Sequence, residues 1–399
     1  MGAVSCDRIG GDPYADNPYK SLELSTRSAE FARTGNTFSM EFLSRIDADA
    51  EKDYIISPLS MQFLLGMLLD GARGTTADEI CSVLGYGEGQ TDAVNEYCLS
   101  MLKQLPALDK QTKLSIANAI FVDDGWPLLK SYKDAVGQYY RAEVENLDFM
   151  NGPASLRRIN GWCSDNTNGL VPKVLDEVDP NMLAYLLNAI YFKSQWKEKF
   201  PKGATSDEKF TFADGSTGKV RMMKLAWKSF AYAENDVFQA VRLPYGNGAY
   251  SMTVLLPRSG HKTSEIPAYL KKNGVDSFIR GMFHCDVDLW LPKFETKYHI
   301  KLNDILSAMG MPSAFDDKSA DFKAMSDYAL CLSFVQQDAV IKVDEEGTEA
   351  AAVSSAGMMK DAAVAPGERV VFHADHPFIY LITESSSGAV LFAGRYGAK

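Results

Sequence analysis

Apolar residues in the first part of the chain recur at helical spacing. Phe31, Phe38, Phe42 and Ile46 predict a helix over 25–46. The stretch 61–69 is almost wholly apolar and follows Ser57-Pro58-Leu59-Ser60, so it predicts a helix with proline near its start, buried on nearly all sides. Gly71 and Gly74 are expected to end it, and Thr76-Ala77-Asp78-Glu79 has the spacing of a capping box that opens another helix. A strand is predicted over 114–122, an amphipathic helix over 127–140 and a further helix from 154 to the polar stop at Thr167-Asn168-Gly169. The apolar run 182–192 has too much bulk for a wet face and predicts a strand inside a sheet. From 209 to 302 the pattern turns to strands, at 210–212, 216–222, 240–243, 250–256 and 287–294, with turn signals between them. A helix over 302–309, a strand over 335–343 and a hairpin of 378–383 with 389–392 complete the prediction. Helices come first and strands later, without steady βαβ alternation. This predicts an α+β class, with one domain over 21–399 behind a polar, turn-rich tail at 1–20.

The 335–343 strand runs into a segment that loses nearly all bulk: Val343-Asp344-Glu345-Glu346-Gly347-Thr348-Glu349-Ala350-Ala351-Ala352-Val353-Ser354-Ser355-Ala356-Gly357-Met358-Met359-Lys360-Asp361. Helix propensity favours its Glu-Ala-Ala-Ala core. As a strand, Thr348, Ala350, Ala352, Ser354, Ala356 and Met358 share one uncharged face, while Glu349 falls on the other. The first face can be buried without stranding an ion. The segment can therefore stand exposed as a loop or enter a sheet as a strand; the plainer alternative is an Ala/Ser/Gly linker.

Composition narrows the function. The net charge of −11 and the lack of a Lys/Arg cluster argue against a nucleic-acid partner, and no heparin-type patch is apparent, with Lys103, Lys110 and Lys113 spread out. No apolar run approaches the roughly 18 residues of a membrane span, so a soluble chain is expected. The six cysteines (Cys6, Cys81, Cys98, Cys163, Cys285, Cys331) contain no CxxC pair, which argues against a zinc site or a dense disulfide framework. Ala3-Val4-Ser5-Cys6 resembles the end of a bacterial lipoprotein signal peptide, although no apolar signal region precedes it. Cys6 is thus a candidate lipidation site, the alternative being an incidental cysteine in the tail. An enzyme finds little support: HExxH, GxSxG and a complete phosphate loop are all missing. His373 and His376 are expected to shape a surface loop rather than to hold a metal. No cofactor is expected.

Five motifs in order make the chain resemble the serpin family over about 20–397. They are Tyr54-Ile55-Ile56-Ser57-Pro58-Leu59-Ser60 with Gly71-Ala72-Arg73-Gly74-Thr75-Thr76-Ala77-Asp78-Glu79; Asn118-Ala119-Ile120-Phe121-Val122; Leu187-Asn188-Ala189-Ile190-Tyr191-Phe192-Lys193 with Trp196; Glu345 to Ala352; and Phe372-His373-Ala374-Asp375-His376-Pro377-Phe378. The resemblance implies a large central sheet, two smaller sheets, about nine helices and an exposed reactive-centre loop over about 345–369. It implies a monomer, not an enzyme, that acts as a suicide inhibitor of serine, and by similar chemistry cysteine, endopeptidases. The cleaved loop of such a protein enters the central sheet and drags the acyl-enzyme with it. With Cys6, the resemblance points to a bacterial inhibitory member, secreted or held at the cell envelope.

Residue roles are carried over by position. Glu345, Gly347, Thr348, Glu349, Ala350, Ala351 and Ala352 match the hinge, and Ser57, Ser60 and Asn188 match the shutter. Many members carry His at a further shutter position where this chain has Gln337, which hydrogen-bonds but does not titrate. Trp196 matches the breach, and Lys293 matches the partner of Glu345. Counting the family's usual loop length from Glu345 places the attacked residue at Asp361, cut before Ala362; chemistry favours Lys360-Asp361 for trypsin-like pockets, and Met358 or Met359 for elastase- or subtilisin-like ones. A non-inhibitory member acting as carrier or chaperone is the alternative. The small, unblocked hinge, without Arg or Pro at Thr348, favours the inhibitor.

Overall fold

In the computed structural model, which describes residues 16–348 and 369–398, the first helix is α1 (Thr26–Asp49). Ser25 caps it, its hydroxyl accepting from the Ser28 N–H at 3.1 Å. After the short strand β1 (Tyr54–Ile56), α2 (Pro58–Gly71) is buried at every position but Asp70, as its unbroken apolar run requires. It packs between β4 (Ala184–Gln195) of one sheet and β15 (Val390–Tyr396) of the other. Gly66 is needed there, because a Cβ would strike the Tyr140 ring.

The capping-box prediction fails. Helix α3 (Gly74–Leu84) starts at Gly74, and Arg73 precedes it without a side-chain cap. Thr76 and Glu79 are engaged elsewhere: Thr76 Oγ1 accepts from the Asp321 N–H at 3.0 Å, and Glu79 accepts from the Ser313 N–H and hydroxyl at 3.0 and 2.6 Å. The hydroxyl and carboxylate that could cap locally instead tie the helix to a distant turn.

The remaining helices are α4 (Thr91–Gln104), α5 (Lys130–Tyr140), α6 (Gly152–Asn166), α7 (Glu265–Asn273), α8 (Val275–Arg280) and α9 (Asn303–Met309), nine among the described residues. The other strands are β2 (Lys113–Asp123), β3 (Glu143–Leu147), β5 (Ser206–Thr211), β6 (Thr217–Glu234), β7 (Phe238–Tyr245), β8 (Tyr250–Pro257), β9 (Phe283–Pro292), β10 (Phe294–Lys301), β11 (Gln336–Val343), β12 (Gly347–Thr348), β13 (Arg369–His373) and β14 (Phe378–Glu384). The 287–294 prediction spans two of these strands. The chain turns a corner at Lys293, whose N–H donates to Arg221 O at 2.8 Å, and passes from one sheet to the other.

One sheet has the order β10-β11-β12-β4-β2-β3, antiparallel except for β2 with β3. The other runs β1-β15-β14-β8-β7-β6-β9-β13, with β5 also on β6, so the two smaller sheets expected are joined through the long β6. The main apolar core lies between these layers, around α2.

Candidate functional site

The first sheet narrows to a two-residue strand where the small-residue segment begins. Thr348 pairs with Val343 of β11 and with Ser194 of β4, and Gly347 pairs with Gln195. A Cβ on Gly347 would collide with the Ser194 carbonyl, so only glycine lets the chain pass this close to β4. Thr348 is 2% exposed and shares a 2.5 Å hydrogen bond with the Tyr245 hydroxyl. Its side chain therefore points into the core, on the face that the alternation marked as uncharged. Among the described residues no ladder joins β4 to β11; β12 is all that stands between them.

Trp196 sits at this entrance, buried and stacked on Tyr245 with ring centroids 4.4 Å apart. Its indole N–H donates to Asp344 O at 2.8 Å, and its backbone N–H donates to Glu346 O at 2.9 Å. Glu345 is held by the Lys293 ammonium at 2.6 Å and the Thr205 hydroxyl at 2.8 Å. Glu346 pairs with Lys199 at 2.9 Å and Lys202 at 3.2 Å. Burial pushes the Glu345 carboxyl up, but the Lys293 and Thr205 hydrogen bonds outweigh it and hold the group below its ordinary value. Lys199, against a smaller effect of burial and with help from Lys202, does the same for Glu346.

Carboxyls with depressed pKa values stabilise the fold above their unfolded value of 4.5, and the contribution disappears as pH falls through the folded values. Replacing Glu346 with Gln is expected to lower the melting temperature at pH 7, by about 0.5–1 kcal/mol of stability for a partly exposed pair. The difference from wild type should shrink as pH falls below 4.5 and through the lower folded value. Melting curves from pH 3.5 to 7 check this, and a constant offset at every pH would contradict it.

Midway down the sheet, a polar relay joins α2, β15, β4, β2, α5 and β11. The Ser57 hydroxyl donates to Leu391 O at 2.7 Å and accepts from the Ser60 N–H at 3.2 Å. The Ser60 hydroxyl donates to Asn188 Oδ1; Asn188 Nδ2 donates to Asn118 Oδ1 at 2.6 Å; and Asn118 Nδ2 donates to Tyr140 O at 2.7 Å. From β11, the Gln337 amide accepts from the Ser57 N–H and donates to Ser57 O, both at 2.9 Å. It thereby satisfies the backbone of the residue that caps α2, as a neighbouring strand would. Opening β11 away from β4 would break this bidentate contact or carry α2 along.

The structure thus brings Ser57, Ser60, Asn188 and Gln337 together, and Trp196, Lys293, Glu345, Gly347 and Thr348 together. Sequence reading missed Thr205, Tyr245, Lys199 and Lys202 at the entrance, and the relay roles of Asn118 and Tyr140. Glu349, Ala350, Ala351, Ala352, Met358, Met359, Lys360, Asp361 and Ala362, together with Cys6, lie outside the described residues. His376 bonds Asp375 at 2.7 Å and the Pro257 carbonyl at 2.8 Å, while His373 packs on Trp290. Among the described residues no group of three or more His, Cys, Asp or Glu is placed to hold a metal, and no helix is long and apolar enough to cross a membrane.

Known proteins share this architecture. A family profile described as "Serpin (serine protease inhibitor)" matches residues 33–397. Serpin B6 of Macaca fascicularis is 32% identical over 379 residues, covering 92% of this chain and 99% of the relative. The thermophilic serpin tengpin in its native state superposes with a TM-score of 0.84 at 29% identity, over 96% of this chain and 97% of tengpin. Human thyroxine-binding globulin complexed with thyroxine superposes with a TM-score of 0.83 at 26% identity, over 94% of this chain and all of the globulin. The group in general comprises protease inhibitors rather than enzymes, with non-inhibitory members among them. With the match spanning nearly its whole length, this chain belongs to the serpin family.

Proposed function

We propose that the chain is a suicide inhibitor of serine endopeptidases, and of cysteine endopeptidases by the same acyl chemistry. The observation that carries this reading is β12. The hinge already pairs with β4 on one side and β11 on the other, with Thr348 facing inward, and among the described residues nothing else joins those two strands. Continued antiparallel in that register, the segment would set Ala350 opposite Phe192 and Met358 opposite Ala184. Each inward position would then be uncharged. A protease Oγ or Sγ attacks the loop carbonyl, the amine of the next residue leaves, and the loop stays esterified to the enzyme. Strand growth then carries the acyl-enzyme away before water can deacylate it. Lys360-Asp361 suits a trypsin-like enzyme, Asp361-Ala362 an Asp-preferring one, and Met358 or Met359 an elastase- or subtilisin-like one.

Incubation with trypsin, elastase and subtilisin tests the reading. At least one enzyme should give a band of inhibitor plus protease mass that survives boiling in SDS. Cutting of the loop by all three with no such band would refute inhibition of these enzyme types and favour a carrier role.

A further inference from the structure

Below the polar relay, between the lower ends of β4 and β11, lies a cavity of about 250 Å³. Its floor is apolar: Leu64 and Leu68, one helical turn apart on α2, with Phe322 and Met325 from the loop before β11, all at most 5% exposed. Leu186 and Phe334 line its sides. Among the described residues that line it there is no Asp, Glu, Lys, Arg or His. Cys331 stands at its rim and is exposed.

An apolar cavity of roughly 150 Å³ can hold benzene, so this one has room for two fused rings. A wall without ionisable side chains gives a charged ligand nothing to repay its desolvation. Edge amides of β4 and β11, and the side chains of Asn181 and Ser333, can meet one polar substituent. The cavity also lies on the line that β12 would follow: its lining includes Ala184 to Leu187 and Val335 to Gln336, the walls at the far end of the same register.

We propose that this cavity binds small, uncharged, flat apolar molecules, and that such a ligand and a strand inserted beside β4 exclude each other. The exclusion rests on the insertion reading above; the binding does not.

2-Naphthol and naphthalene-2-sulfonate share a ring system and differ in charge, which makes them the probes. Titrated into the intact full chain, 2-naphthol should bind once with a submillimolar Kd, and the sulfonate at least tenfold more weakly. Ala184→Trp, which fills the cavity from β4, should abolish binding. Should that variant fail to fold, alkylation of Cys331 by iodoacetamide in a Cys6→Ser background gives the same answer. Saturating 2-naphthol should slow it at least fivefold, and the sulfonate should leave it unchanged. Protein whose loop has been cut by any protease should lose 2-naphthol binding. No binding to the intact chain, equal binding of both probes, unchanged Cys331 alkylation, or undiminished binding to cut protein would each overturn the proposal. The last of these would count against insertion, and the SDS band tests trapping separately, so the two failures can be told apart.

Discussion

Replacing Thr348 with Arg is expected to turn the proposed inhibitor into a substrate: the protease still cuts the loop, but the SDS-resistant band falls by more than tenfold. The reason is local. Thr348 is 2% exposed, its hydroxyl bonds the buried Tyr245, and its neighbours across the sheet are Ser194 and Val343. Thr348 already lies between β4 and β11 in the intact chain, and no described carboxylate pairs at that inward position. An Arg is therefore expected to leave the sheet before cleavage and to re-enter during insertion only as a buried and unpaired charge, at a cost of several kcal/mol. Insertion and deacylation compete for one acyl-enzyme, and each ~1.4 kcal/mol added to the insertion barrier slows it about tenfold. Deacylation then wins. Thr348→Ser keeps a small hydroxyl and should keep the band. Densitometry of the adduct against the cut chain, at equal protease, decides it. An unchanged adduct yield in the Arg variant would mean that this face does not enter the sheet.

Asn188→Ala is expected to destabilise the intact chain by about 2–5 kcal/mol, read as a lower urea midpoint. Asn188 is the only residue of the relay that both accepts from Ser60 and donates to Asn118. Its truncation leaves the buried Asn118 Oδ1 without its donor and the Ser60 hydroxyl without its acceptor, and an orphaned buried polar group costs about 1–3 kcal/mol. Asn118→Ala breaks the same link from the other side. The double variant should therefore lose clearly less than the sum of the two single losses. Full additivity would show that the two amides act independently and that no continuous relay spans β4 and β2.

How much of this was legible in the sequence depended on the reach of each signal. The apolar run of α2 and the bulk of β4 are local patterns, and both elements form near the expected positions. The small-residue alternation after Val343 is local too, and its first residue on the uncharged face, Thr348, is buried, which that pattern permits. Thr76 and Glu79 misled because the same atoms can cap a helix or bind Ser313 and Asp321, more than 200 residues away, and spacing cannot tell which. Helices α7 and α8 were missed inside a β-rich stretch. They are nine and six residues long, with Gly274 at φ +80° between them, so neither is long enough to establish a clear period. At the site, the motifs located Lys293 and Glu345. Lys199, Lys202 and Thr205 belong to a segment about 140 residues from the hinge, and no periodicity connects positions that far apart.

An inhibitor of the proposed kind accepts a strand between β4 and β11, which among the described residues only β12 separates, once its loop is cut. Such a strand would add on the order of ten backbone hydrogen bonds at a net ~1 kcal/mol each, comparable with the whole stability of a typical domain at ~5–15 kcal/mol. The most direct measurement is the thermal unfolding of the intact chain beside that of the same chain cut once within 358–362. The cut chain is expected to stay folded well above the temperature at which the intact chain melts. Equal melting temperatures, or a cut chain that melts first, would contradict it.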